Sequence, residues 1–309
     1  MDKIIVIAGP TAVGKTKFAI AIAEKFNAEI VSCDSMQLYK YMDIGSAKPT
    51  EEEMARVKHH LVDFADPRED FSVARYQQLA KKAIRNILEK GKLPLISGGT
   101  GLYLNSILYD MEFSPHSKDT SYREKLEKIA EAKGSRELHR MLAELDADAA
   151  EEIHPNNKKR LIRALERLNE GEEHVKPFRG ICRENPEYDA ILIGLTRNRE
   201  ELYDRINRRV DELVSEGLFK EVEKLMDMGL TSEDISMKGI GYKEIIDYFT
   251  GVCDAETAID NVKKNTRHYA KKQLTWFRRY DKMNWYNISD FRNDEEAAEE
   301  ISLWLEKKI

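Results

Sequence analysis

The segment Gly9-Pro10-Thr11-Ala12-Val13-Gly14-Lys15-Thr16 has the spacing G-x-x-x-x-G-K-[ST]. Glycines at that spacing let the backbone wrap its N–H groups around a chain of phosphates. Lys15 adds a point charge for the outer phosphates, and the Thr16 hydroxyl can ligate Mg²⁺. A second chemical group is Asp34, a carboxylate closing Glu29-Ile30-Val31-Ser32-Cys33-Asp34 and able to accept a proton. A third is Ser97-Gly98-Gly99-Thr100-Gly101, where paired glycines allow a ligand close to the backbone and Thr100 offers a hydroxyl. An ordinary tight turn would use the same residues.

These groups need elements to aim them. Lys3–Ala8 is a short apolar run rich in β-branched residues, which predicts a buried strand feeding the loop. Phe18, Ile22 and Phe26 recur every fourth residue behind it, with Ala19 and Ala23 on the same side, which predicts a helix starting at the loop. Such a helix points its N-terminus and its unpaired amides at an anion. Glu29–Asp34 reads as a second strand, placing Asp34 on the rim where ligands of open parallel sheets sit. Met42-Asp43-Ile44-Gly45-Ser46-Ala47-Lys48-Pro49 is polar and reads as a loop, and His59-His60 comes without a ligand cluster to suggest a metal. Phe71–Lys90 has helical periodicity ended by Gly91, Lys92–Ile96 reads as a strand, and Leu102–Leu108 as a helix.

The pattern then changes. From about Phe113 to Pro186 only helical signals occur: Ser121 with Glu124 in the manner of a capping box, a stripe of Leu138, Met141, Leu142 and Leu145, and another of Leu161, Leu165 and Leu168. Arg160, Arg163 and Arg167 share one side of the second of these helices, beside Lys158 and Lys159. That face suits either solvent or phosphates. Gly171 to Pro186 is polar and irregular, and Tyr188–Leu195 reads as the last core strand, after which the chain is helical. Arg205, Arg208 and Arg209 fall on the polar side of a helix ended by Gly217. Lys264, Arg267, Lys271 and Arg278 form a basic stripe on a long helix from Ala255 to Tyr280, whose Tyr269, Trp276 and Phe277 read as core, and Asp294–Ile309 reads as an acidic amphipathic helix. The expected fold class is α/β: a P-loop NTPase-like parallel sheet core (residues 1–113), an inserted small all-helical domain (114–187), then core completion and a helical C-terminal region (188–309).

Composition narrows the setting. The 309 residues are 41% hydrophobic and 34% charged, as in folded soluble proteins, and a net charge of −6 leaves nucleic-acid binding to local basic patches. Cys33, Cys182 and Cys253 stand apart, with neither a disulfide framework nor a zinc site indicated. No apolar run approaches membrane-spanning length, and the first residues run into the first strand without a signal peptide, so the expected location is cytoplasmic.

Chemistry alone leaves several readings open. A guanine-reading N-K-x-D segment is absent and no convincing Walker-B acid follows an apolar strand. The loop with Asp34 would suit a kinase of a small metabolite, and the basic stripes would suit an RNA-binding module. Taken together, however, the loop, Asp34-Ser35-Met36-Gln37-Leu38-Tyr39, Met42–Pro49, Gly98-Gly99-Thr100-Gly101-Leu102-Tyr103, Arg163-Ala164-Leu165-Glu166 and Thr266–Arg278 occur in one order that resembles the tRNA dimethylallyltransferase (tRNA isopentenyltransferase) family over nearly the whole chain.

The resemblance implies transfer of a dimethylallyl group from dimethylallyl diphosphate to N6 of the adenosine immediately 3′ of the anticodon, with Mg²⁺ as cofactor. It implies that the ATP-type loop, Gly9 to Thr16, holds the prenyl diphosphate, leaving ATP binding there open, and that Thr16 is the metal ligand. Asp34 would be the catalytic base, and Thr100 would position the reacting groups. Asp34, Ser35, Met36, Gln37, Thr100, Arg123, Lys159, Arg160, Leu161, Ile162 and Arg163 would meet the tRNA anticodon stem-loop. The expected enzyme is monomeric and has no membrane partner. Gly101 after Gly-Gly-Thr and the run Lys158-Lys159-Arg160 depart in detail from common versions of the family pattern.

Overall fold

A computed structural model of the chain describes residues 1–111, 113, 121–172, 175 and 183–309. They form two compact units, Met1–Asp110 with Glu184–Ile309, and Met111–Arg183.

The first unit is built on β1 (Asp2–Ala8), α1 (Lys15–Lys25), β2 (Ala28–Ser32), α2 (Glu51–Arg56), β3 (His59–His60), α3 (Val73–Leu88), β4 (Leu93–Gly98) and α4 (Gly101–Leu108). The second holds α5 (Ser121–Lys133), α6 (Ser135–Leu145), α7 (Ala147–Glu152) and α8 (Lys158–Asn169). The chain returns to the first unit through β5 (Tyr188–Thr196), α9 (Arg199–Glu216), α10 (Leu218–Asp227), α11 (Tyr242–Phe249), α12 (Ala255–Phe277), β6 (Asn284–Asn287) and α13 (Asp294–Glu306).

Among the described residues six strands, all parallel, form one sheet in the order β3-β2-β4-β1-β5-β6. Ile4, Ile5, Val6, Ile7 and Ala8 of β1 are all buried, as expected of a central strand covered on both faces. Ala8 pairs with Gly98 on one side and Gly194 on the other, so the turns after β1 and β4 open at one edge of the sheet. Phe18, Ile20 and Ile22 of α1 pack with Ile5, Ile7, Ile193, Ile206 and Ile301 in the main core. The helical unit has its own core, in which Leu126, Leu138, Leu142, Leu161 and Leu165 are fully buried.

Caps lie where the side chains predict helix ends. Ser72, Asn157, Asp254 and Asn293 accept from the backbone N–H three residues on, at the starts of α3, α8, α12 and α13. Gly91 (φ 69°) closes α3, and Gly217 (φ 109°) closes α9. Four details differ from the sequence reading. Tyr188–Leu195 is not the last core strand, since β6, four residues long and half-buried, follows it on the sheet edge, and the His59-His60 pair forms β3. His60 Nε2 lies 2.7 Å from the buried Glu29 carboxylate. Strand β2 stops at Ser32, which leaves Asp34 in the turn beyond it. Leu145, the last residue of α6, is 59% exposed rather than part of the apolar stripe. Ser121 is the first residue of α5, while residues 114–120, most of the polar stretch after Gly171, and Cys182 lie outside the described residues.

The ends of β2 and β4 touch. Cys33 N–H donates to Ser97 O at 2.8 Å and Thr100 N–H donates to Cys33 O at 3.0 Å, and a Cβ on Gly98 would lie 2.1 Å from Cys33 O. Gly91 has no neighbour within 4 Å of a built Cβ, and its only penalty is its positive φ. Gly91→Ala is therefore expected to cost about 1–2 kcal/mol. Gly98→Ala, which must push the ends of β2 and β4 apart, is expected to cost on the order of 3 kcal/mol or more. Urea unfolding of the two variants side by side measures the difference.

Candidate active site

Between β1 and α1 the loop turns sharply enough to put Ala12 at φ 62° and Gly14 at φ 110°. Its carbonyls are turned outward and held: Arg205 Nε donates to Ala12 O at 2.9 Å and Arg197 Nε donates to Val13 O at 3.1 Å. Arg197 is itself anchored on Glu201 and Asp294. The amides of Gly14, Lys15 and Thr16 open the helix α1, and the side chains of Lys15 and Thr16 line a cavity of 1240 Å³. The Thr11 N–H, by contrast, is spent within the protein, donating to Gln273 Oε1 at 2.8 Å. Val13 is fully buried, and Lys15 Nζ donates to Pro10 O at 2.8 Å.

Asp34 faces the same cavity. Its Oδ1 accepts from Met36 N–H at 2.9 Å, a local turn that fixes the carboxylate beyond the strand. Thr100 Oγ1 accepts from Ser35 N–H at 3.0 Å, which ties the glycine turn after β4 to the residue beside Asp34. Gln37 is held at both ends: Ser32 Oγ donates to its Oε1 at 3.1 Å, and its Nε2 donates to Ala47 O at 3.1 Å. The Met42–Pro49 segment is indeed a loop, and much of it forms a cavity wall. The Glu221 carboxylate accepts from the N–H groups of Asp43, Ile44 and Gly45 and from Tyr242 Oη, all at 2.7 to 2.9 Å. Lys48, 6% exposed at its side chain, bridges Asp43 and Asp63.

Several lining residues were not anticipated from the sequence. Arg205, Arg208 and Arg209 of α9, assigned above to a polar face, line the cavity together with Tyr269 of α12, read above as core. Three arginines at i, i+3 and i+4 on the helix after the last core strand were the available signal. Burial lowers the Lys15 ammonium from 10.5 to about 8, with Asp34 opposing and Arg209 adding to that shift. Burial also lowers Arg209, against the attraction of Asp34. The site thus combines clustered positive charge, a loop of amides and the Asp34 carboxylate, with Asp43, Asp63, Glu53 and Glu212 among the further acids on the cavity wall.

In the helical unit, Arg123 makes a bidentate pair with Glu166 at 2.7 and 2.8 Å, and Arg163 approaches the same carboxylate at 3.7 Å. Lys159 and Arg160 are exposed. Leu161 and Ile162 are not: both side chains are buried in the core of this unit, because the apolar face of α8 packs against the other helices, which leaves their expected place at the tRNA to backbone atoms and neighbouring side chains.

Residues 37–280 match the family model described as IPP transferase. The chain is 50% identical over 306 residues to a tRNA dimethylallyltransferase of Acetivibrio thermocellus, covering 99% of this chain and 98% of that one. It is 48% identical to a tRNA dimethylallyltransferase of Clostridioides difficile over 306 residues, with the same coverage. Among solved structures it resembles the full-length tRNA isopentenylpyrophosphate transferase of Bacillus halodurans, at 45% identity and a TM-score of 0.75, over 100% of this chain and 97% of that one. A eukaryotic dimethylallyltransferase acting on tRNA is 28% identical with a TM-score of 0.80, over 97% of this chain and 78% of that one.

An ammonium already lowered to about 8 makes anion binding sensitive to mild alkali. Wild-type affinity for inorganic pyrophosphate is expected to exceed that of Lys15→Gln most clearly below pH 8. The advantage should shrink by up to about tenfold per pH unit above it, as Lys15 loses its charge. Calorimetric titration of both proteins from neutral to alkaline pH measures the ratio.

Proposed function

Because this chain belongs to the IPP transferase family, we propose that its phosphate loop grips dimethylallyl diphosphate while Asp34 activates the adenosine that receives the prenyl group. The reaction is transfer of a dimethylallyl group to an adenosine of tRNA. The observation that supports this division of labour is the single cavity onto which Lys15, Thr16, Asp34 and the α9 arginines all face. At 1240 Å³ it exceeds the roughly 300–1,000 Å³ of an ordinary small-molecule site, which leaves room for a donor and an inserted base together.

Chemically, the allylic C–O bond of the donor breaks as a bond forms from its carbon to the exocyclic N6 of the adenosine immediately 3′ of the anticodon. The departing diphosphate takes the electron pair, and its growing charge meets the Gly14–Thr16 amides, Lys15 and the α9 arginines, all placed beforehand. The N6 lone pair is delocalised into the ring, so its proton must leave as the bond forms, and the Asp34 carboxylate receives it. General-base help of this kind is worth about 10²–10⁴-fold. Thr100, bonded to Ser35 N–H, keeps the Asp34 turn against the glycine turn. Among the described residues no group of three or more His, Cys, Asp or Glu gathers to hold a metal. The Thr16 hydroxyl, on the cavity wall beside Lys15, fits a Mg²⁺, which would supply further charge neutralisation for the diphosphate.

The small-metabolite kinase that the loop alone allows gives way to this reading. Of the residues matched to tRNA recognition, Ser35, Met36 and Gln37 border the cavity with Asp34, and Arg123, Lys159, Arg160 and Arg163 carry charge for RNA phosphates. Extracting the target base from its stack costs a few kcal/mol, which such backbone contacts offset. No helix among the described residues is long and apolar enough to cross a membrane. A monomer suffices for a cavity lined within one unit of the chain, and the tRNA substrate is what supports a cytoplasmic location.

Mass analysis of nucleosides from unmodified tRNA incubated with protein, donor and Mg²⁺ tests the reading directly, and prenylated adenosine is the expected product. Asp34→Ala should slow single-turnover transfer by about 10²–10⁴-fold with little change in tRNA affinity. An equal loss of affinity with unchanged chemistry would contradict the base assignment. Arg163→Ala should weaken tRNA binding and reduce the slope of log affinity against log salt by about one unit. An unchanged slope would leave Arg163 with a role inside the helical unit, beside Glu166.

A further inference from the structure

One buried side chain of α12 joins the two halves of the site. Gln273 is 5% exposed and bonded at both ends: Oε1 accepts from Thr11 N–H at 2.8 Å, and Nε2 donates to Gly99 O at 2.9 Å. Both partners are backbone groups, so the amide has one possible orientation, its oxygen toward the N–H and its nitrogen toward the carbonyl. Thr11 belongs to the phosphate loop, and Gly99 immediately precedes Thr100.

The surrounding residues are shaped to this contact. A Cβ on Gly99 would lie 2.3 Å from Gln273 Nε2 and 3.8 Å from Lys15 Nζ, so the side chain that glycine lacks would displace the bridge. One helical turn earlier on the same face, the Tyr269 hydroxyl lies beside the side chains of Thr100 and Gln273. Three residues after Gln273, the Trp276 indole occupies the space left by Gly101, where a Cβ would lie 2.3 Å from its Cδ1. Strands β1 and β4 pair only as far as Ala8 and Gly98. Beyond that point the sheet no longer sets the distance between the two turns, and the Gln273 amide does.

We propose that Gln273 is a positioning residue for prenyl transfer, a cross-tie that sets the gap between the loop holding the donor diphosphate and the turn carrying Thr100 beside Asp34. The proposal rests on the reading of the site given above. It follows from the steepness of the transfer step with distance: the donor carbon and the accepting nitrogen must be held about 3–3.5 Å apart, and a misplacement of about 1 Å costs on the order of 10²-fold. Gln273 touches neither reactant in this account. It acts by keeping Thr11 and Gly99 at a fixed spacing.

Two variants of the full chain test it, with single-turnover prenyl transfer read separately from donor and tRNA affinity. Gln273→Leu keeps the bulk but makes neither bond, and is expected to slow transfer by about 10²-fold while both affinities change little. Gln273→Glu makes both bonds only when its carboxyl is protonated, as C=O to Thr11 N–H and O–H to Gly99 O. Its rate relative to wild type at the same pH should therefore rise as the pH is lowered, whereas that of Gln273→Leu should not. A folded Gln273→Leu with the wild-type transfer rate overturns the proposal. So does a loss confined to donor affinity, or a Gln273→Glu rate ratio that is flat with pH. Wild type assayed alongside separates the two levels: no transfer by wild type overturns the reading of the site and the tether with it, while transfer by wild type and variants alike overturns the tether only.

Discussion

A loop that offers its amides to an anion must turn its carbonyls away from it, and those carbonyls need donors of their own. This constraint organises much of the first unit. The turn places Ala12, a residue with a Cβ, in the left-handed region at φ 62°, a conformation that costs on the order of 1–3 kcal/mol. Guanidinium bonds to Ala12 O and Val13 O, each worth about 1.5–3 kcal/mol when the donor is charged, are large enough to offset it. The donors come from far along the chain. Arg197 follows β5 and Arg205 lies in α9, and Arg197 is in turn fixed by Glu201 and by Asp294 at the start of α13. The phosphate loop is therefore completed by residues almost two hundred positions away.

The same logic explains another wall of the cavity. The Met42–Pro49 loop has few backbone partners of its own, and Glu221 supplies them by accepting three successive amides and the Tyr242 hydroxyl. Gly45 is required there because a Cβ would lie 2.5 Å from the Tyr242 ring. Once that loop is placed, Ala47 O can accept from Gln37, and the segment following Asp34 is held in turn. A surface carboxylate on α10 thus helps to set the approach to a carboxylate on the sheet edge.

How far the sequence reveals this depends on the range of each interaction. The loop, the helix behind it and the placement of Asp34 on the strand rim are legible because they are local: spacing, periodicity and a strand end suffice. Thr100 is legible as a hydroxyl at a glycine turn, although its partner, Ser35 N–H, is not. Arg205, Arg209, Gln273 and Tyr269 are not legible as site residues from their own neighbourhoods. Each sits in an amphipathic helix whose pattern is satisfied equally well by a solvated or a core position, and only the packing of α9 and α12 over the strand ends decides between them. Leu161 and Ile162 illustrate the reverse. They lie in the stretch from Lys159 to Arg163 that the resemblance brings to tRNA, just before the matched motif on α8, yet the same apolar stripe that marks the helix commits their side chains to the core. Strand β6 escapes notice because Asn284-Trp285-Tyr286-Asn287 is short and half-buried on a sheet edge, with no alternation long enough to register.

Glu166 adds a constraint of its own. Two guanidinium groups of the helical unit, Arg123 and Arg163, converge on this one carboxylate, whose side chain is only 14% exposed. A nucleic-acid backbone docking there would not find bare positive charge. It would have to exchange one anion for another, and the gain would be the difference between the two partnerships. Such swapping would hold grip below what the number of arginines suggests, and Glu166 would be a ready internal replacement when a bound anion departs. For a catalyst that must work through many copies of a substrate whose bulk is unchanged by the reaction, easy exchange is more useful than tenacity.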